Sequence, residues 1–210
     1  MLYVSSAERT AKFLRERRLD VSDPGARTIT TRGAKDLPPP TAWAVTFNKP
    51  VLPADSIGFV QFAAREERIQ RAIASGKTQH ANTAKRIAAV WIVVPDLKAA
   101  IKAFESTGLP AGDSRTFSEL GAVGREILAG SGRIVLLEPK GKTGKAASFL
   151  AERGEGIMGL SLEVASLETA RTLLEKNTKQ PFPPYSGPYG KSILVSAEVA
   201  HGVWIEMFQK

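Results

Sequence analysis

The sequence predicts an α+β fold built from tandem βαβββ modules whose strands form curved mixed sheets. Three observations predict it. A strand–corner–helix signature occurs three times along the 210 residues. Each signature is followed by short β-like segments punctuated by glycine or proline. The composition, 43% hydrophobic and 24% charged, belongs to a chain that can bury a core.

The three signatures are VSSAERTAKFLRE (Val4 to Glu16), VPDLKAAIKAFE (Val94 to Glu105) and VASLETARTLLEK (Val164 to Lys176). Each opens on the last valine of an apolar strand. Two residues later stands Ser6, Asp96 or Ser166, a side chain that accepts from the free N–H groups of a helix start. Apolar residues then recur at helical spacing, as Leu97, Ala100, Ile101 and Phe104 do in the middle copy. Gly108 and Leu109 close that helix.

The β-like segments follow in order. After the first helix come ARTITTRG, TAWAVTFN and SIGFVQFA. After the second come TFSELGA, GREILAG and GRIVLLEP. After the third come the proline-rich turn PFPPYSGPYG, then KSILVSAEVA and HGVWIEMFQ. The expected modules are 1–65, 84–140 and 156–210, with the last two pairing into one domain over 84–210. Residues 66–83, REERIQRAIASGKTQHAN, read as a helical linker that stops at Ser75-Gly76. Residues 141–155 form the other connection.

Composition excludes several functions. There is no cysteine, so disulfides, thiolate metal sites and cysteine nucleophiles are ruled out. No apolar run reaches the roughly 20 residues of a membrane span. The first residues carry charge after their apolar stretch, which is the wrong order for a secretory signal. A cytoplasmic location is expected, with no membrane partner. The net charge is +8, but the basic residues are dispersed. Arg15, Arg17 and Arg18 sit at a helix end, where cations suit the dipole. Lys140, Lys142 and Lys145 sit in a glycine-bearing loop. No stacking aromatics alternate with them, so nucleic acid is not an expected partner. GKTGK, Gly141 to Lys145, lacks the earlier glycine of a phosphate loop, since Leu136 stands there.

VWIVVPDLKAAIKAFE, GRIVLLEP, LSLEVASLETA and HGVWIEMFQ, taken together, resemble the glyoxalase-like proteins of the vicinal oxygen chelate superfamily. QHANTAKRIAAV is similar to a stretch found in that group, and the first module fits more loosely. The resemblance implies that two βαβββ units pair around a cleft. It also implies a divalent metal there, held by a His on the first strand and a Glu on the last strand of each unit. Members include glyoxalases, ring-cleaving dioxygenases, epimerases, fosfomycin-modifying enzymes and metal-free drug-binding proteins.

In this sequence the two first-strand positions are Ala89 and Gly159, and the last-strand positions are Val135 and Glu206. One ligand of four survives. The cofactor therefore stays open, with a divalent metal implied by the resemblance and most of its ligands missing. His201, at the start of the last strand, reads either as a further metal ligand with Glu206 or as a solvated turn residue.

Strand alternation places one set of residues toward the cleft. The set is Ala89, Trp91 and Val93; Arg133, Val135 and Leu137; Gly159, Ser161 and Glu163; and Trp204, Glu206 and Phe208. Met158, Leu160, Leu162 and Val164 share the opposite, helix-covered face. The expected substrate-binding residues are Trp91, Arg133, Ser161, Glu163 and Trp204, a mix that suits a small organic molecule. Glu206 is the catalytic candidate, as a general base or lone ligand; its other reading is an ion pair with Arg133. Glu163 reads as an ion-pair residue too, and Glu138 as a strand-end boundary residue. His80 reads as a turn or cap in the linker. Tyr185 and Tyr189 flank a turn at the cleft mouth and either gate it or simply pack.

Three function classes follow. One is a lyase, isomerase or dioxygenase relative. Another is a metal-free protein that sequesters a small molecule, as drug-resistance relatives do. The third is a structural half of an assembly. Three modules leave one without a mate; a homodimer is the expected remedy, and a dock within the chain through the 66–83 helix is the other. Met1 falls inside a first strand, which is either simply short or belongs to a shortened form of a longer protein.

Overall fold

The computed structural model describes residues 1–28, 41–54 and 57–210. The predicted segments ARTITTRG and SIGFVQFA lie partly outside the described residues. The chain divides into two compact units, Met1–Ala74 and Ser75–Lys210.

The first unit runs β1 (Leu2–Tyr3), α1 (Ala7–Glu16), β2 (Gly25–Thr28), β3 (Thr41–Val45), β4 (Phe59–Phe62) and α2 (Arg65–Ala74). Its sheet order is β1-β4-β3-β2, with β1 parallel to β4. Ala7, Ala11 and Leu14 recur at i, i+4 and i+7 and bury one stripe of α1 against Val21, Val45 and Phe59. The helix within the predicted linker is α2, and Gly76 follows it with φ +68°.

The second unit begins with β5 (Ala84–Val93), α3 (Leu97–Ser106), β6 (Ala111–Phe117), β7 (Ala122–Ala129) and β8 (Gly132–Pro139). After α4 (Lys145–Arg153) it repeats the pattern as β9 (Gly156–Val164), α5 (Leu167–Thr178), β10 (Tyr185–Gly187), β11 (Gly190–Val195) and β12 (Trp204–Gln209). All eight strands form one sheet, ordered β10-β11-β12-β9-β5-β8-β7-β6. The two halves join where the first strands β5 and β9 pair antiparallel. Within each half the first and last strands pair parallel.

Two segments differ from the sequence reading. The strand expected over TFSELGA is mostly a 3-10 turn, Ser118–Leu120, and the true strand β6 lies upstream. Part of the expected proline-rich turn is the short strand β10. Both strands are polar at their cores, so neither shows an apolar run.

The three helix entries share one construction. Tyr3, Val93 and Glu163 face Val60, Leu137 and Phe208 across their parallel pairs. The next residue of each last strand is Gln61, Glu138 or Gln209. Its side-chain oxygen accepts from the first helical N–H: Ala7 at 2.8 Å, Leu97 at 3.0 Å and Leu167 at 3.0 Å. Ser6, Asp96 and Ser166 accept from the N–H three residues on. Two of the orphan donors at each helix start are thus satisfied from two directions. Glu138 is therefore a cap rather than a mere boundary residue.

The large sheet is covered on both faces. On the outer face, Leu167 and Ala170 of α5 pack with Ile193, Val195 and Met207. Phe104 of α3 is fully buried against its own half. On the inner face, Ala146, Phe149 and Leu150 of α4 pack against Trp91, Val93, Val135 and Leu137.

Candidate functional site

The inner face carries the residues that strand alternation placed there. Trp91 pairs with Gly159 and Ala89 with Ser161. Trp204, Glu206 and Phe208 face Gly159, Ser161 and Glu163. Arg133 and Val135 sit beside Ala89 and Trp91. Met158 departs from the expected pattern. The register skips it between Trp91↔Gly159 and Ile92↔Ile157, and this bulge turns its side chain into the inner cluster.

The face is filled. Trp91, Ser161 and Glu206 are 1%, 0% and 0% exposed and form a hydrogen-bonded chain. Trp91 Nε1 donates to Ser161 Oγ at 2.9 Å, and Ser161 Oγ donates to Glu206 Oε2 at 2.6 Å. Ser192 Oγ lies 3.0 Å and Tyr185 Oη 3.1 Å from Glu206 Oε1. Burial pushes the Glu206 carboxyl above the usual carboxylate range, partly offset by these hydroxyl donors.

Arg133 does not pair with Glu206. Its Nε lies 3.0 Å from Glu126 Oε2, while Arg115 Nε lies 3.1 Å from Glu126 Oε1. Tyr189 Oη donates to that same Oε1 at 3.1 Å, although 63 residues separate the pair. The Tyr189 ring rests on Phe208 at 5.2 Å, with the Arg115 guanidinium 5.5 Å above it. Burial, then the neighbouring carboxylate, pushes both tyrosine hydroxyls well above their ordinary range. Glu126 was missed in the sequence. Its signal was the alternation Gly124, Glu126, Leu128 along GREILAG, which gains meaning only once β7 pairs with β8.

Glu163 is held by Arg86, with Nη2 at 2.8 Å. Trp204 is half-buried and His201 is exposed, at φ +54°. Both line a surface groove of about 770 Å³ between α4 and the segment before β12. Lys145, Ser148, Phe149, Glu152 and Arg153 form its α4 wall. Lys145 Nζ sits 5.6 Å from the Trp204 ring centre, and the Arg153 guanidinium 5.8 Å from that of Phe149. The expected binding residues are therefore split: Trp91, Ser161 and Glu206 are sealed inside, Arg133 and Glu163 are in ion pairs, and Trp204 opens to the groove.

The residues present do not fit the divalent metal that the resemblance implies. Ala89, Val135 and Gly159 offer no donor. A Cβ at Gly159 would collide with the Trp204 carbonyl oxygen and lie 2.7 Å from the Trp91 ring. The Trp91 indole and Ser161 occupy the space beside the one surviving carboxylate. Among the described residues, no group of three or more His, Asp or Glu could hold a metal ion. No helix among them is long and apolar enough to cross a membrane.

Solved structures share this architecture. Methylmalonyl-CoA epimerase from Mycobacterium tuberculosis superposes with a TM-score of 0.56 at 20% identity, over 62% of this chain and 91% of that one. A Streptomyces coelicolor methylmalonyl-CoA epimerase in complex with 2-nitronate-propionyl-CoA gives 0.53 at 20% identity, over 60% and 96%. A hypothetical protein from Bacillus halodurans gives 0.51 at 23% identity, over 60% and 94%. The chain contains the vicinal oxygen chelate fold. No family model matches it, and no curated protein does. The glyoxalase-like assignment is thus narrowed to the fold.

Proposed function

We propose that this chain binds a small organic molecule on the vicinal oxygen chelate fold without chelating a metal. The ligand lies in the groove between α4 and Trp204. The observation that carries this reading is the state of Glu206. Both its oxygens are committed to hydroxyl donors in a buried interior, so neither is free to hold a metal. The groove supplies what a binder needs: two aromatic rings, Phe149 and Trp204, for an apolar body, and Lys145 and Arg153 for an anionic group. Structures of the same fold hold acyl-CoA compounds, methylmalonyl-CoA among them. Acyl-CoA thioesters are therefore the first ligands to try, followed by aromatic carboxylic acids.

The test combines two measurements on untagged protein. Elemental mass spectrometry, with Mn, Co, Ni and Zn added back, is expected to find no stoichiometric metal and no stabilisation by added ions. Thermal shift with methylmalonyl-CoA, free CoA and benzoate is expected to find one that stabilises wild type but not Trp204→Ala. Near-stoichiometric metal would overturn the metal-free reading. Ligand stabilisation that survives Trp204→Ala would move the site elsewhere.

A further inference from the structure

We propose that residues 181–190 form a hinged strap that covers the two buried carboxylates Glu126 and Glu206, latched by Tyr185 and Tyr189. The strap covers a different region from the groove, so it stands apart from the ligand assigned there.

Four features carry the inference. First, β10 is the edge of the sheet and pairs with β11 alone, over three residues. Second, both tyrosines end on buried carboxylates, Tyr185 on Glu206 in its own half and Tyr189 on Glu126 in the other. Third, the strap lies directly on Glu206: a Cβ at Gly187 would collide with Glu206 Oε1 and Ser192 Oγ. Only a residue without a side chain lets the backbone close so tightly. Fourth, the strap is stiff and anchored at its base. Pro181, Pro183, Pro184 and Pro188 fix φ along it, so it moves as a body and gains little entropy by loosening internally. Its base is held by Phe182, which is buried against α5 and donates its N–H to Glu175 at 3.2 Å.

Lifting this body about Phe182 and Gly190 breaks two hydroxyl–carboxylate bonds and three residue pairings. It withdraws Tyr189 from the edge of the apolar cluster under α4, while Phe149 and Leu150 stay in place. It uncovers Glu126 and Glu206 together with the half-exposed Arg115 and Arg133. The uncovered carboxylates would take a ligand whose own hydroxyls replace those of the two tyrosines.

Native-state hydrogen exchange on the full chain tests the strap. In wild type, the amides of β10 and the adjoining part of β11 are expected to exchange through an opening that leaves β5 and β9 protected. Tyr189→Phe keeps the ring on Phe208 and leaves Glu126 paired with both arginines, so the fold is retained. It should speed strap exchange by about tenfold to a hundredfold, the effect of losing one hydrogen bond to a charged group, with β5 and β9 unchanged. If strap amides in wild type exchange only with β5 and β9, the strap does not open on its own and the proposal fails. It also fails if Tyr189→Phe leaves strap exchange as it was.

Discussion

Removing the Ser161 hydroxyl tests the interior network directly. Ser161 is the middle link between Trp91 Nε1 and Glu206 Oε2, so Ser161→Ala breaks two bonds at once. A hydrogen bond to a charged group contributes about 1.5–3 kcal/mol, and the one lost here is short. The indole N–H, left buried without an acceptor, costs about a further 1–3 kcal/mol. The two together come to about 4 kcal/mol, a large part of the roughly 5–15 kcal/mol that holds a domain folded. For a unit of this size that is a drop in Tm on the order of 10–15 °C. Urea unfolding followed by tryptophan fluorescence reads it, in a Trp43→Phe background so that only Trp91 and Trp204 of the second unit report. The control is Ser192→Ala, which removes one contact to Glu206 and strands no donor. It should cost about half as much. If Ser161→Ala costs under about 1 kcal/mol, or no more than Ser192→Ala, then Trp91 and Glu206 do not depend on this hydroxyl. The account of the sealed carboxylate would then be wrong.

Other outcomes follow from the same geometry. Burial raises the Glu206 pKa above its ordinary 4.5, so the folded protein holds that proton more tightly than the unfolded chain. Its contribution is complete below 4.5 and is lost as pH rises through the raised value. The stability of wild type relative to Glu206→Gln should therefore fall as pH rises from 4.5; a difference that grows with pH would contradict this. Gly159→Ala forces a methyl against the Trp204 backbone and the Trp91 ring, and should cost about 1–3 kcal/mol in a denaturant titration. Glu138→Ala and Gln209→Ala should each cost about 1 kcal/mol by removing a helix cap. Glu138→Gln should be close to neutral, because glutamine does the same work at positions 61 and 209.

Much of the fold was legible in the sequence because its signals are local. The N-caps Ser6, Asp96 and Ser166 sit at fixed distances from apolar helical stripes, and that pattern alone locates three helices. Strand alternation also placed Trp91, Ser161, Trp204 and Glu206 on one face, since a period of two needs no knowledge of the partner strand. The bulge at Met158 marks where this reasoning stops. Nothing in IMGLSLEV shows that Met158 is an extra residue between the pairs Trp91↔Gly159 and Ile92↔Ile157.

The candidate site was less legible, for the same reason. Glu206 stood out as a surviving carboxylate, and its pairing with Arg133 was a fair reading of two opposite charges near one face. Arg133 goes instead to Glu126, because β7 lies next to β8 while β12 lies beyond β5 and β9 in the sheet order. The helix α4, in the connection 141–155, converts the expected open cleft into a packed interior through Phe149 and Leu150.

By itself, then, the sequence determined the module type, the helix entries and the inward-facing residues other than Met158. All of these follow from spacing within about a dozen residues. Only the tertiary structure decided which carboxylate meets which partner, which part of the inner face is sealed and where a groove stays open. Trp91 and Ser161 are 70 residues apart, and Tyr189 and Glu126 are 63 apart. Contacts at that range are set by strand register and by what fills the space between sheet and helix, which no local pattern encodes.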